Sequence, residues 1–241
     1  MKYNDVVFGQ NVVIGENVKI GKGTIIGHNV VIHNDTIIGE NVRVDDNTVL
    51  GKNLMKAANS AVTKEQQLDP LTIGDSCLIG ACVVLYRGVK IGNKVLIADQ
   101  AAVQFKSIVG DFTIVGRGVL VESSCSIGSR VKLESGTYIT AYSTIEDYCF
   151  IAPNVSTSND NFAGRSEQRF DKFKGVTVKR GGRIGVNATI LPGIVIEEDA
   201  MVAAGSVVTR NVQKGKVVAG VPAKEFCDVP EDQLLVNNIK V

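Results

Sequence analysis

An aliphatic residue stands at every sixth position from Ile73 to Ile151, and nothing interrupts the series. The register runs Ile73, Ile79, Leu85, Ile91, Ile97, Val103, Val109, Val115, Val121, Ile127, Leu133, Ile139, Ile145, Ile151. Four residues after each comes a small or β-branched residue, as at Cys77, Val83, Ala101, Ser107, Thr113, Cys125, Thr137, Cys149 and Val155. An amphipathic helix repeats near ~3.6 residues and a half-buried strand repeats every ~2, so neither describes a chain with this period. A fixed long period of self-similarity is the signature of a solenoid, in which each repeat buries its apolar face only against its neighbours.

The same beat begins at Phe8 and passes through Ile14, Ile20, Ile26, Ile32, Ile38, Val44 and Leu50; it resumes at Val178 and runs through Ile184, Ile190, Ile196, Val202 and Val208. Glycine often follows the aliphatic residue, and Asn or Gly recurs at the corners, where the backbone must turn tightly. Three hexapeptides make one triangular coil, and coils stack at the ~4.8 Å spacing of paired strands, giving about nine coils. The expected fold is all-β, a left-handed parallel β-helix. Residues 54–70 and 157–175 lose the beat and are expected to project as loops, the first with a short helical turn, the second carrying Phe162, Phe170 and Phe173. Residues 1–224 are thus expected to form one β-helix domain. Residues 225–241 form a tail, with a short helix at Leu234 and Leu235 after Pro230 covering the open edge.

Charge and cysteine usage narrow the functional classes. With 26 basic and 25 acidic residues the net charge is +1, and the absence of a basic run argues against nucleic acid as a partner. The chain enters the repeat without a basic-then-apolar leader, and no run approaches ~18 apolar residues, so a soluble cytoplasmic protein without membrane contact is expected. Five cysteines make a disulfide framework improbable, and Cys77, Cys125 and Cys149 occupy the small inward slot as core fillers. Only His28 and His33 are present and no Cys-x-x-Cys pair occurs, so no metal site is expected.

The aliphatic-Gly repeat, the off-repeat Thr157-Ser158-Asn159-Asp160, and the ending Val202-Ala203-Ala204-Gly205-Ser206-Val207-Val208-Thr209 followed by Gly220-Val221-Pro222-Ala223-Lys224 together resemble the hexapeptide-repeat acyltransferases over nearly the whole chain. The segment Ile145-Glu146-Asp147-Tyr148-Cys149-Phe150-Ile151-Ala152-Pro153 before that loop is similar to the branch that acylates amino groups of nucleotide-linked deoxysugars. The resemblance implies a homotrimer with sites between subunits. It implies acetyl-CoA, or another acyl-CoA, lying along the last coils beside Ala203, Ala204 and Gly205, with Lys224 near the nucleotide phosphates and Lys214 and Lys216 as further candidates. It also implies a dTDP- or UDP-linked amino sugar as acceptor, in surface glycan synthesis.

Acyl transfer from a thioester to an amine needs a neutral amine, alignment, and donors for the developing oxyanion. Relatives carry a histidine where this chain has Ile97-Ala98-Asp99. A carboxylate at Asp99 can orient the amine and accept its proton if desolvation raises its proton affinity; otherwise the departing thiolate takes the proton. Asn159 and Asp160 complete the expected catalytic set, either touching the sugar or its amine or shaping an Asx turn. Tyr86, Glu122, Phe162 and Arg165 are expected to hold the substrate, with Phe105 and Arg169 as further candidates for the base and the diphosphate. Two other readings stay open: an O-acetyltransferase on a sugar or small alcohol, and a non-catalytic β-helix scaffold.

Overall fold

The computed structural model describes residues 5–58 and 66–239. The chain winds as a triangular prism whose three faces are sheets of 12, 10 and 9 strands, almost all of them two residues long. Face A runs from Val7–Phe8, face B from Val13–Ile14 and face C from Lys19–Ile20. Strands of one face pair in parallel with the next coil, as in Ile79 with Ile97, Ile97 with Val115 and Val115 with Leu133. The six-residue beat thus becomes an 18-residue coil.

The core is what the pattern predicts. Ile79, Leu85, Ile97, Ile127, Leu133, Ile139 and Ile151 are fully buried, and the slot four residues later is filled by Val83, Ala101, Val131 or Val155. Where that slot holds a hydroxyl or thiol, the group caps the turn of the next coil. Thr113 Oγ1 donates to the Gly128 carbonyl at 2.8 Å, and Cys125 Sγ reaches the Thr140 carbonyl at 3.2 Å. Cys77, Cys125 and Cys149 are buried free thiols, and burial pushes the thiols of Cys125 and Cys149 up to about 12. Cys82 and Cys227 are exposed.

Two strands escape the sequence pattern. Ser156–Thr157 pairs with Thr189–Ile190 and continues face B, so the second excursion begins after Thr157. Thr157 is an inward polar residue, and its hydroxyl accepts from the Thr140 amide at 2.8 Å and donates to the Tyr138 carbonyl at 3.0 Å. Lys216–Gly220 joins the end of face A with seven residues between it and Val207–Val208, out of step with the six-residue beat. Face A then has 12 strands, the last antiparallel, so the helix makes about eleven turns where nine were expected.

The tail departs further. Ala223–Asp228 folds back antiparallel on Lys216–Gly220, and the helix expected after Pro230 is two single 3-10 turns, Glu231–Gln233 and Leu235–Asn237. Leu235 is held by its amide on Asp199 Oδ1 at 2.8 Å. Among the described residues no helix is long and apolar enough to cross a membrane. Of the first excursion, residues 59–65 lie outside the described residues; the described remainder contains no helical turn.

Candidate functional site

Several corners of the prism are closed by one device. Two residues after the inward aliphatic stands an Asp or Asn whose Oδ1 accepts the amide of its counterpart one coil earlier. Asp46, Asn93, Asp99, Asp111 and Asp147 do this at 2.7 to 2.9 Å. The carboxylate sits so close to the preceding coil that a Cβ on Gly80 would lie 2.4 Å from Asp99 Oδ1, which is why glycine follows the aliphatic residue there. Asp99 is therefore a turn clamp, with Oδ1 bound to the Ala81 amide and Oδ2 left for other contacts. It borders a shallow trough of about 700 Å³ on face A, lined also by His28, Arg43 and Asp46.

Asp99 stands on the corner between faces A and B, and the register carries that corner through Arg117, Ser135, Pro153 and Val186 to Ala204. Five coils separate Asp99 from Ala204, about 24 Å at the strand spacing. The corner is open at two places, where an added Cβ on Gly118 or Gly205 would meet nothing within 4 Å, and closed between them, where one on Gly136 would lie 2.3 Å from Asn154 Oδ1. Past the last full coil, at the C-terminal end of the prism, Arg210, Lys216 and Lys224 line a cleft of about 330 Å³ together with Val208, Val212 and Ala223. Lys216 is committed to Glu225 and Asp228, and Lys214 to Glu198; among the described residues Lys224 makes no ion pair.

Both excursions leave from the corner between faces B and C, the first after Val49–Lys52 and the second after Ser156–Thr157. Between them the clamp disappears. The residues after the inward aliphatics of face B are Tyr86, Gln104, Glu122 and Thr140, and register stacks them as a polar column on a face otherwise bearing Val84, Ala102 and Leu120. Lys52 Nζ lies 5.4 Å from the Tyr86 ring centroid, and Lys106 hydrogen-bonds Gln66 of the first excursion. Glu122 is half-buried and, among the described residues, makes no ion pair; burial raises its pKa, and a hydrogen bond from Tyr138 only partly offsets this. Tyr138, itself raised by burial and by the Glu122 charge, also takes a hydrogen bond from Thr140.

The second excursion is organised around Asp160. Its Oδ1 accepts from the Phe162 amide at 2.8 Å, while Oδ2 accepts from Gly164 N at 3.0 Å and Arg169 Nη2 at 3.0 Å. Burial acts to raise the Asp160 pKa, but the two amides and the guanidinium outweigh it, and the carboxyl lies below the ordinary carboxylate range. Arg169 sits over the rings of Phe170 and Phe173 at 5.6 and 5.3 Å. The geometry gives Asp160 the task of shaping the loop, and spends Arg169, expected as a diphosphate ligand, within it. Phe162 lies under Lys172 Nζ at 5.7 Å, the Asn159 carbonyl accepts from the Lys174 amide at 3.1 Å, and Arg165 is exposed.

Phe105, expected as a stacking platform, is only 4% exposed and belongs to the core side of its corner, which removes it from that role. The remaining expected residues fall into two groups within one protomer. Asp99, Ala203, Ala204 and Gly205 share one edge of face B; Tyr86, Glu122 and the loop carrying Asn159, Phe162 and Arg165 share the other. Asp99 and Glu122 are separated by roughly 15 Å of strand and corner. Sequence reasoning missed Tyr138, because its contact with Glu122 exists only across the coil register; adding 18 residues to Glu122 and looking two back finds it.

The hexapeptide repeat is shared with known proteins. A family model described as bacterial transferase hexapeptide (six repeats) matches residues 4–34, and one described as hexapeptide repeat of succinyl-transferase matches 70–98 and 180–210. The 2,3,4,5-tetrahydropyridine-2,6-dicarboxylate N-acetyltransferases of several Staphylococcus aureus strains are 50% identical over 50 residues, which is 21% of this chain and 21% of theirs. The UDP-N-acetylglucosamine acyltransferase of Francisella novicida superposes with a TM-score of 0.53 at 21% identity over 99% of this chain and 71% of its own, and shares the fold. A GDP-perosamine N-acetyl transferase mutant from Caulobacter crescentus, solved with CoA and GDP-perosamine, gives a TM-score of 0.42 at 23% identity over 65% of this chain and 58% of its own.

Proposed function

We propose that this protein is an acyl-CoA-dependent N-acyltransferase, acetyl being the expected group, that acylates the amino group of a dTDP- or UDP-linked deoxyamino sugar. The observation that carries the reading is the corner from Asp99 to Gly205, open at Gly118 and Gly205, on a prism whose C-terminal end holds the cleft lined by Arg210 and Lys224. It offers an edge about 24 Å long with a carboxylate at one end, small residues at Ala203, Ala204 and Gly205 at the other, and cationic side chains beyond them. A pantetheine arm with a phosphorylated nucleotide at its tail has that shape and polarity. The 50-residue likeness to N-acetyltransferases supports the same chemistry.

In this reading Ala203, Ala204 and Gly205 leave room for the arm, and Lys224 meets the phosphates. Asp99 Oδ2 orients the acceptor amine at the thioester end, and Tyr86, Glu122, Asn159, Phe162 and Arg165 receive the nucleotide sugar. The two groups stand on opposite edges of face B, so the site is completed between subunits of a homotrimer, where the Asp99 corner of one subunit meets the loop-bearing edge of the next.

The test is acetyl-CoA with a panel of dTDP- and UDP-linked amino sugars, read by release of free thiol. Turnover with at least one amino sugar, and none with its hydroxyl analogue, is expected. Thiol release from no member of the panel overturns the assignment.

A further inference from the structure

Within the proposed acyl-transfer reaction, we propose that Glu122, positioned by Tyr138, is the group that takes the proton from the attacking amine. The inference rests on the acyltransferase reading above and assigns the chemical step within it.

Three features single out this carboxylate. First, of the described acids that directly follow an inward aliphatic or stand in the second excursion, Glu122 alone combines an unspent carboxylate with the corner between faces B and C; Glu134 and Glu197 stand at the other two corners. Asp45 is paired with Arg43, Glu146 with Lys179 and the Arg180 amide, and Asp160 with two loop amides and Arg169. Second, Glu122 lies where the repeat abandons its corner clamp, on the polar column between the two excursions, with Lys106 and Gln66 toward one end and exposed Tyr142 toward the other. Third, its surroundings suit a proton acceptor. Gln104 and Ala102 face it from the preceding coil, Leu120 from its own strand, and Tyr138 and Thr140 from the next; of these five Tyr138 alone is titratable, and the inward thiol of Cys125 also feels the Glu122 charge. A carboxylate in half-buried, weakly charged surroundings binds a proton more readily than one in water, which brings it closer to the range a general base needs.

The step balances. The amine nitrogen attacks the thioester carbonyl and forms the C–N bond. As the tetrahedral adduct collapses, the C–S bond breaks and its electron pair leaves on sulfur. The proton lost from nitrogen passes to Glu122 and then to the thiolate. Tyr138 is a positioning residue: its hydroxyl fixes one oxygen of Glu122 and leaves the other free, and Thr157, which binds the Tyr138 carbonyl at 3.0 Å, holds that strand in place.

The experiment compares wild type, Glu122→Gln and Tyr138→Phe by pH profiles of kcat for thiol release from acetyl-CoA. Gln104 occupies the equivalent place one coil earlier, so the glutamine variant is expected to fold with an unchanged melting temperature. Glu122→Gln is expected to lower kcat by at least ~100-fold and to erase the acidic limb of the profile, with both KM values held within about threefold. Tyr138→Phe is expected to move that limb to higher pH, because the lost hydrogen bond favours the ionised carboxylate. Wild-type kcat in Glu122→Gln, or an unmoved acidic limb in Tyr138→Phe, overturns the assignment of Glu122 while leaving the acyltransferase reading intact. An inactive wild type with every acceptor overturns the reading itself, and this assignment with it.

Discussion

Asp99 and Asn93 make the same hydrogen bond, one through a carboxylate and the other through an amide oxygen, each to the amide of the coil before it. The clamp therefore needs an oxygen, not a charge. Asp99→Asn keeps it, while Asp99→Ala strands the Ala81 amide. Losing one such bond costs ~1 kcal/mol, or ~2–4 °C in a domain of this size. Differential scanning calorimetry is expected to show that drop for Asp99→Ala and none for Asp99→Asn. If Asp99 orients the acceptor amine, Asp99→Asn raises KM for the amino sugar; an unchanged KM confines the residue to its corner. The resemblance to relatives with a histidine at this place, not the periodicity, pointed to Asp99, and the structure adds that it stands where the clamped run of its corner ends.

The corner between faces C and A shows what an element can do with residues that a corner disfavours. Lys94, Phe112, Arg130 and Tyr148 occupy successive coils of this corner with φ between 56 and 61°, a position filled in early coils by Gly23 and Asn41. A left-handed conformation costs an ordinary L-residue ~1–2 kcal/mol. Stacking returns part of that: Arg130 lies 4.6 Å from the Phe112 ring and 5.9 Å from Tyr148, and Arg180 continues the ladder at 4.6 Å from Tyr148. Each exposed contact of this kind contributes ~0.5–1 kcal/mol. Arg130→Ala removes two of them while keeping the disfavoured backbone, so a loss of ~1–2 kcal/mol is expected from urea unfolding. An unchanged midpoint would show the ladder to be decorative.

The second excursion is an element held by one carboxylate. Because the Asp160 pKa is lowered in the folded loop, its stabilisation is present above the ordinary carboxylate pKa and is lost as pH falls through the lower, folded value. Limited proteolysis within 158–175 is expected to quicken at acid pH and, for Asp160→Asn, already at neutral pH, while the melting temperature of the β-helix stays put. Equal cleavage of wild type and variant at neutral pH would remove Asp160 as the organiser. The sequence marked this stretch as a departure from the repeat, yet placed its start one residue early; it left Asp160 between a substrate contact and an Asx turn and offered Arg169 to a diphosphate. Their mutual contact depends on a loop path that no periodicity describes.

For the molecule as a whole, the division of candidate residues between two edges of face B has a measurable consequence. Solution scattering is expected to report three times the mass of the chain; a monomer contradicts the proposed site. Co-assembly of Asp99→Ala and Glu122→Gln subunits is expected to restore part of the acyl transfer that each loses alone, because some interfaces then receive both intact edges. No recovery in mixed assemblies would place the two residues in separate roles.

The six-residue beat determined the solenoid, its buried column and the two excursions, because a period of small and aliphatic side chains can be satisfied only by stacking coils. It also implied that cysteines in the inward slot are core, as Cys77, Cys125 and Cys149 prove to be. Only the tertiary structure decided which residues eighteen or more positions apart share a corner. Register placed Asp99 and Ala204 on one edge, set both excursions on another, and brought Tyr138 to Glu122. The reason is geometric: a hexapeptide specifies which side chains point inward, whereas the neighbours of an outward side chain belong to the next coil, an excursion resets the count, and a polar strand such as Ser156–Thr157 keeps the count but hides it.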